Sequence, residues 1–126
     1  AHSAANPLTA HYNVIHGQAV GVMLPRVVAF NAAEPESRRI YTELAASGNL
    51  VEGWSDQDAA VAALVSYLTQ MLTTAELPTD LGAWNVEESK IPTLAEEAAK
   101  QWTAGFNPRA VEASDFETLY RSAALV

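Results

Sequence analysis

Apolar residues recur along this chain at intervals of three and four, and nowhere alternate for the length of a strand. The clearest run is Val61, Leu64, Val65, Leu68, Met71 and Leu72. That spacing predicts an amphipathic helix with one buried face. Ser55-Asp56-Gln57-Asp58 precedes it and offers an N-cap with acidic residues in the first turn; Leu77-Pro78 ends it. Upstream, the segment from about Gly17 to Phe30 carries Ala19, Val20, Met23, Leu24, Val27 and Val28. It is apolar nearly all round, as expected of a central buried helix. Pro25 predicts a kink in it. Gly17 and Gly21, one turn apart, predict close approach of another backbone. The alanine-rich stretch from His2 to about Tyr12 predicts a further helix, interrupted at Asn13.

Pro35 suits the first position of a helix running to Ser47, with Gly48 as its stop and Ile40, Tyr41 and Leu44 as its apolar face. Thr79 to Asn85 is a turn-rich link. From Ile91 or Pro92 a helix is expected to reach Ala104 and end at Gly105, with Leu94, Ala95, Ala98 and Trp102 on its inner face. Ser114-Asp115-Phe116-Glu117 has the form of a capping box. It would open a last helix lined by Phe116, Leu119, Tyr120 and Ala123. These elements predict an all-α fold, a bundle of about six helices.

Composition narrows the function. The 126 residues are 49% hydrophobic and 17% charged, with a formal net charge of -8. Seven Lys and Arg residues are scattered and form no stripe, which argues against nucleic acid as a partner. The absence of cysteine excludes disulfides, thiolate metal sites and Cys nucleophiles. The longest apolar run, Ala19 to Phe30, holds Pro25 and Arg26 and falls short of the about 20 residues a bilayer needs. The expectation is therefore no membrane association and a cytoplasmic location.

Candidate chemistry crowds into the first segment. All three histidines, His2, His11 and His16, lie there. Neutral imidazole suits first-row metals. His2 and His16 are fourteen residues apart, which on one straight helix is about 21 Å at 1.5 Å per residue. They can share a metal only if the chain reverses between them, and Asn13 lies at the expected reversal. A helix hairpin with one histidine on each arm meets the requirement. Asn6 follows His2 by four residues and shares its helix face. By spacing alone the metal signal is weak, and surface or helix-end roles for these histidines are the better reading.

The residues His2-Ser-Ala-Ala-Asn-Pro-Leu-Thr-Ala-His-Tyr-Asn-Val-Ile-His16-Gly17, followed by Leu24-Pro25-Arg26-Val27 and Phe30-Asn31, resemble the iron-containing (group III) alcohol dehydrogenases. The pattern there is a histidine, then His-Pro-Leu-Gly-Ala, Tyr-Asn, His-Gly, Leu-Leu-Pro-His-Val and Phe-Asn. Asn107-Pro108-Arg109 before a short final helix resembles the end of the same enzymes, so the similarity extends over nearly the whole chain. The resemblance implies that residues 1–126 are part of a C-terminal helical metal-binding domain. An N-terminal dinucleotide-binding domain and the first part of the helical domain would lie outside this chain. It implies Fe²⁺ or Zn²⁺ held by one Asp and three His, with His2 and His16 as two of the ligands. It also implies NAD(P) as hydride carrier and a small alcohol or aldehyde as substrate. Asn6 stands where many relatives carry a second histidine in a proton relay, Arg26 where histidine is common, and Thr9 where glycine is usual. Asn6 is thus the candidate catalytic position, although an amide does not act as acid or base near neutral pH.

Other residues read as structural. His11 is expected at the surface or in helix-end packing, Trp102 in the core, and Arg109 bonding a helix C-terminus. The pairs Glu87-Glu88 and Glu96-Glu97 are expected to be solvated. Two alternatives accompany the principal reading: a zinc-dependent glycerol-type polyol dehydrogenase, and a non-catalytic helical scaffold or interaction module. With half a ligand set, the chain alone is expected to be inactive. An uncovered apolar face would favour a homo-oligomer.

Overall fold

The computed structural model describes residues 1–53 and 56–124. Among these residues there is no strand. Six α-helices follow in order: α1 (His2–Tyr12), α2 (His16–Asn31), α3 (Pro35–Ser47), α4 (Gln57–Thr74), α5 (Ile91–Lys100) and α6 (Ala113–Ala124). Short 3₁₀ turns occupy Leu81–Trp84, Glu88–Lys90 and Trp102–Phe106. The all-α bundle expected from periodicity is the fold observed. None of the described helices is long and apolar enough to cross a membrane.

Helix α2 is central because it serves two cores. On one side it packs with α1, α5 and α6 around Leu8, Met23, Leu94 and Tyr120. On the other it packs with α3 and α4 around Val28, Ala45, Ala60 and Leu64. Burying opposite faces explains why its sequence is apolar nearly all round. Gly21 lies against α4, where a Cβ would come within 3.0 Å of Leu72 Cδ2. The close approach is thus to a side chain, and Gly17 meets nothing within 4 Å. Arg26 is half-buried and its Nη1 donates to the carbonyls of Val22 (2.7 Å) and Thr79 (3.2 Å), which pins the α4–α5 link to α2.

Several helix ends follow the sequence signals. Pro35 opens α3, and the Glu34 carboxylate accepts from the backbone N–H groups of Glu36 and Ser37. Those bonds hold its carboxyl below the usual carboxylate range. Asp56 caps α4 by accepting from the Ala59 N–H; Ser55, the other residue expected there, lies outside the described residues. Gly48 ends α3 with φ of -84°, and the left-handed conformation falls on Asn49 instead.

Other expectations are corrected. Ile40 and Leu44 are 48% and 55% exposed, while α3 buries Ser37, Thr42 and Ala45. This edge helix lies against α4, to which Arg38 pairs through Asp58. What it buries is small, and Thr42 donates its hydroxyl to the Arg38 carbonyl at 2.8 Å. In α4, Leu64 and Leu72 are buried, Val61, Val65 and Leu68 only partly, and Met71 is exposed. The reason is that α4 lies at one side of the bundle, covered mainly by α2 and α3 among the described residues. Helix α5 stops at Lys100 because Gln101 turns extended (φ -67°, ψ 132°). Trp102 leaves the inner face and is 76% exposed, contrary to a core role. At α6 the capping contact sits two residues before the expected Ser114: the Glu112 N–H donates to Asp115 Oδ2 at 2.9 Å.

Candidate functional site

The site begins with how the chain reverses after α1. Asn13 takes the left-handed conformation (φ 52°, ψ 28°) and its N–H returns to the Thr9 carbonyl. Asparagine tolerates that conformation better than most residues. Thr9 Oγ1 donates to the Val14 carbonyl at 2.9 Å, and Ile15 is non-helical (φ -57°, ψ 128°). Three residues of non-helical chain, each spanning up to about 3.3–3.6 Å, carry His16 back along α1 before α2 starts.

As a result His2 and His16, each in the first turn of its own helix, face one another. Their ring centroids are 5.2 Å apart and the planes are inclined by 46°. Both residues are exposed. Among the described residues no group of three or more His, Asp or Glu side chains gathers as a metal site. This chain therefore presents a pair of candidate donors.

Asn6, one turn after His2, is half-buried, and its Nδ2 donates to Gln101 Oε1 at 3.0 Å. Ser3 and Thr103 hydroxyls meet at 2.6 Å. These two contacts lay the 3₁₀ turn Trp102–Phe106 along the first half of α1. Beyond the turn, Asn31 and Asn107 exchange amide bonds at 3.0 and 2.7 Å. Arg109 donates to the Phe30 carbonyl at 2.8 Å, with its guanidinium 3.8 Å from the Phe30 ring centroid. The helix-end role expected of Arg109 is the one observed. Sequence reasoning missed Gln101, Thr103 and Phe106; the Asn-Pro-Arg motif was the available signal that this loop is built for a purpose.

Between α1 and the clamped turn lies a cavity of about 430 Å³, bordered by His2, Ser3, Trp102, Thr103 and Phe106, with Phe116 and Leu119 behind. His11 lies away from it, on the surface, bonding Glu97 Oε2 at 2.8 Å. Tyr120 is fully buried under α1 and donates its hydroxyl to the Ala4 carbonyl at 2.7 Å. Burial, and secondarily the Glu97 carboxylate, push its phenol above the ordinary tyrosine range.

Comparison with known proteins adds to this geometry. The model of the Fe-containing alcohol dehydrogenase family, C-terminal, matches residues 1–124. Lactaldehyde reductase of Escherichia coli (strain K12) is 34% identical over 123 residues, covering 97% of this chain and 31% of that protein. The 1,3-propanediol dehydrogenase of Klebsiella pneumoniae is 32% identical over the same length, again covering 97% and 31%. A crystal structure of a 1,3-propanediol oxidoreductase superposes with a TM-score of 0.86 at 29% identity, covering 97% of this chain and 31% of that one. An alcohol dehydrogenase from Oenococcus oeni gives 0.83 at 27%, with the same coverage. The chain thus spans about a third of the length of the relatives it matches. These matches do not favour the glycerol-type zinc alternative.

Proposed function

We infer the function from one premise: the chain belongs to the iron-containing alcohol dehydrogenase family, as its C-terminal helical region. In a full-length protein it would form part of a metal-dependent alcohol dehydrogenase working with NAD(P). Residues 1–126 would supply two imidazole ligands and one wall of the substrate site. The remaining ligands and the dinucleotide site would come from the rest of the protein. Iron is the expected metal, with zinc as the substitute, and the cytoplasm is the expected compartment.

The observation that carries this reading is the His2–His16 pair. An imidazole nitrogen sits about 2.0–2.1 Å from a bound first-row metal, which puts the ring centroid about 3.2 Å away. Two such rings at a tetrahedral angle have centroids about 5.2 Å apart. The observed separation is 5.2 Å, which supports a shared ion.

In the reaction an alcohol loses a hydride from its carbinol carbon and a proton from its hydroxyl, and becomes the aldehyde or ketone. A metal held by His2 and His16 together with ligands from the rest of the protein would supply a Lewis acid, and NAD(P) would take up the hydride. His2 and His16 hold their place because each is fixed in the first turn of a packed helix. Asn6 has its amide N–H committed to Gln101, which leaves its carbonyl oxygen as a fixed acceptor. It does not titrate near neutrality, so the hydroxyl proton leaves by water or by another group. The chain alone, with two donors, is expected to bind metal weakly and to be inactive.

The test is NAD(P)-linked alcohol oxidation by the full-length protein, stripped of metal by a chelator and reloaded with Fe²⁺ without oxygen, or with Zn²⁺. Turnover that disappears with the metal and returns with it is expected. Absence of turnover with every alcohol, both metals and both nucleotides would favour the scaffold alternative.

A further inference from the structure

The cavity beside His2 has a chemistry that the family assignment does not specify. Its outer wall is Trp102 and Phe106, which are 76% and 77% exposed and meet edge to face with centroids 5.5 Å apart. The inner wall is apolar too, with Val27, Phe30, Val111, Phe116 and Leu119. Among the described residues no Asp, Glu, Lys or Arg lines the space. Apart from His2, its polar side chains bond within the protein: Ser3 with Thr103, and Asn107 with Asn31 and the Arg109 carbonyl. Against this wall a second substrate hydroxyl would meet mostly apolar surface and an amide already paired with another. The volume of about 430 Å³ falls within the span of small-molecule pockets, about 300–1,000 Å³, and is several times that of a three-carbon alcohol.

We propose that this cavity receives the carbon chain of the substrate, and that Trp102 and Phe106 select aromatic or extended aliphatic primary alcohols and aldehydes over short polar ones. The proposal rests on the function inferred above, since His2 borders both the imidazole pair and the cavity. A substrate whose oxygen lies at the imidazole pair would direct its tail between α1 and the Trp102–Phe106 turn. The relatives named for lactaldehyde and 1,3-propanediol act on small, hydroxylated compounds; this chain's lining suits the opposite end of the class. The clamp of Ser3–Thr103 at one end and Asn31–Asn107 at the other keeps the aromatic wall in place without a partner from solvent.

Two measurements on the full-length protein test it. The first is kcat/KM for benzaldehyde and hexanal against lactaldehyde. A preference for the apolar substrates of about tenfold or more is expected, since each extra buried methylene is worth about tenfold or more in an apolar pocket. Trp102→Ala should pull that ratio toward one, and Trp102→Phe should restore part of it. The second needs no turnover: tryptophan fluorescence titrated with benzyl alcohol and with 1,3-propanediol. Saturable quenching by benzyl alcohol alone, lost in Trp102→Phe, is expected. Preference for lactaldehyde, or equal response to both alcohols, would overturn the proposal while leaving the dehydrogenase reading intact. Selective benzyl alcohol binding without any turnover would support the cavity and overturn the dehydrogenase reading. Absence of quenching by either alcohol would overturn the proposal too.

Discussion

Replacing Tyr120 by Phe removes one atom from the best-buried contact between the last helix and the first. The ring stays in a fully buried position, so packing is nearly conserved. What is lost is the 2.7 Å hydroxyl bond to the Ala4 carbonyl. The net worth of such a bond is about 0.5–1.5 kcal/mol, and a buried acceptor left short of a partner adds to it, for a total of about 1–3 kcal/mol. In urea, with a mid-range slope of about 2 kcal/mol/M, the unfolding midpoint should drop by about 0.5–1.5 M with an unchanged slope. The variant also changes the alkaline limb. The phenol is held above its ordinary value of about 10 in the folded protein, so the fold keeps a proton that the unfolded chain gives up. The stability tied to that proton is fully present below about pH 10. Above it, stability declines by up to about 1.4 kcal/mol per pH unit for one proton. Tyr120→Phe should show the lower midpoint at neutral pH and a shallower decline above pH 10, both measured by circular dichroism. An unshifted midpoint together with an unaltered alkaline slope would refute the placement of Tyr120 against α1.

Leu94→Ala, at a fully buried position, should cost about 2–5 kcal/mol, while Leu68→Ala, only partly covered on α4, should cost distinctly less; equal losses in denaturant melts would contradict the division of the core. Arg109→Ala removes both the bond to the Phe30 carbonyl and the stacking on its ring, for about 1–3 kcal/mol. Arg109→Lys should recover only part, because a point charge replaces the planar guanidinium. Asn6→His in the full-length protein puts a group with an ordinary pKa of about 6.5 one turn from His2. The pH profile of kcat/KM should gain an ionisation in that region, and an unchanged profile would remove position 6 from the proton path.

Much of this architecture is legible from residue spacing, and the exceptions have physical causes. The reversal at Asn13, the start of α3 at Pro35 and the cap at Asp56 are local events, decided by neighbours within one turn. They read correctly because nothing distant competes with them. The histidine pair depends on that same local reversal, so its two members were findable together. Burial is different, since it depends on which faces the bundle covers. Ile40 and Leu44 have the right spacing for an inner face, yet α3 lies at the edge and buries Ser37, Thr42 and Ala45. Trp102 continues the spacing of Leu94, Ala95 and Ala98, but the backbone turns at Gln101, one residue earlier. The contacts that accompany the turn, Gln101 to Asn6 and Thr103 to Ser3, cross about a hundred positions of sequence. No local pattern announces such a contact, and the aromatic wall of the cavity depends on it.

Two imidazoles sharing one metal ion are the centre of the proposed chemistry. Metal analysis of the full-length protein and of His2→Ala, His16→Ala and His11→Ala tests it. Both His2→Ala and His16→Ala should lose bound metal, whereas His11→Ala, altered only at its surface contact with Glu97, should retain the wild-type content. Stoichiometric metal in either of the first two variants would contradict the central claim.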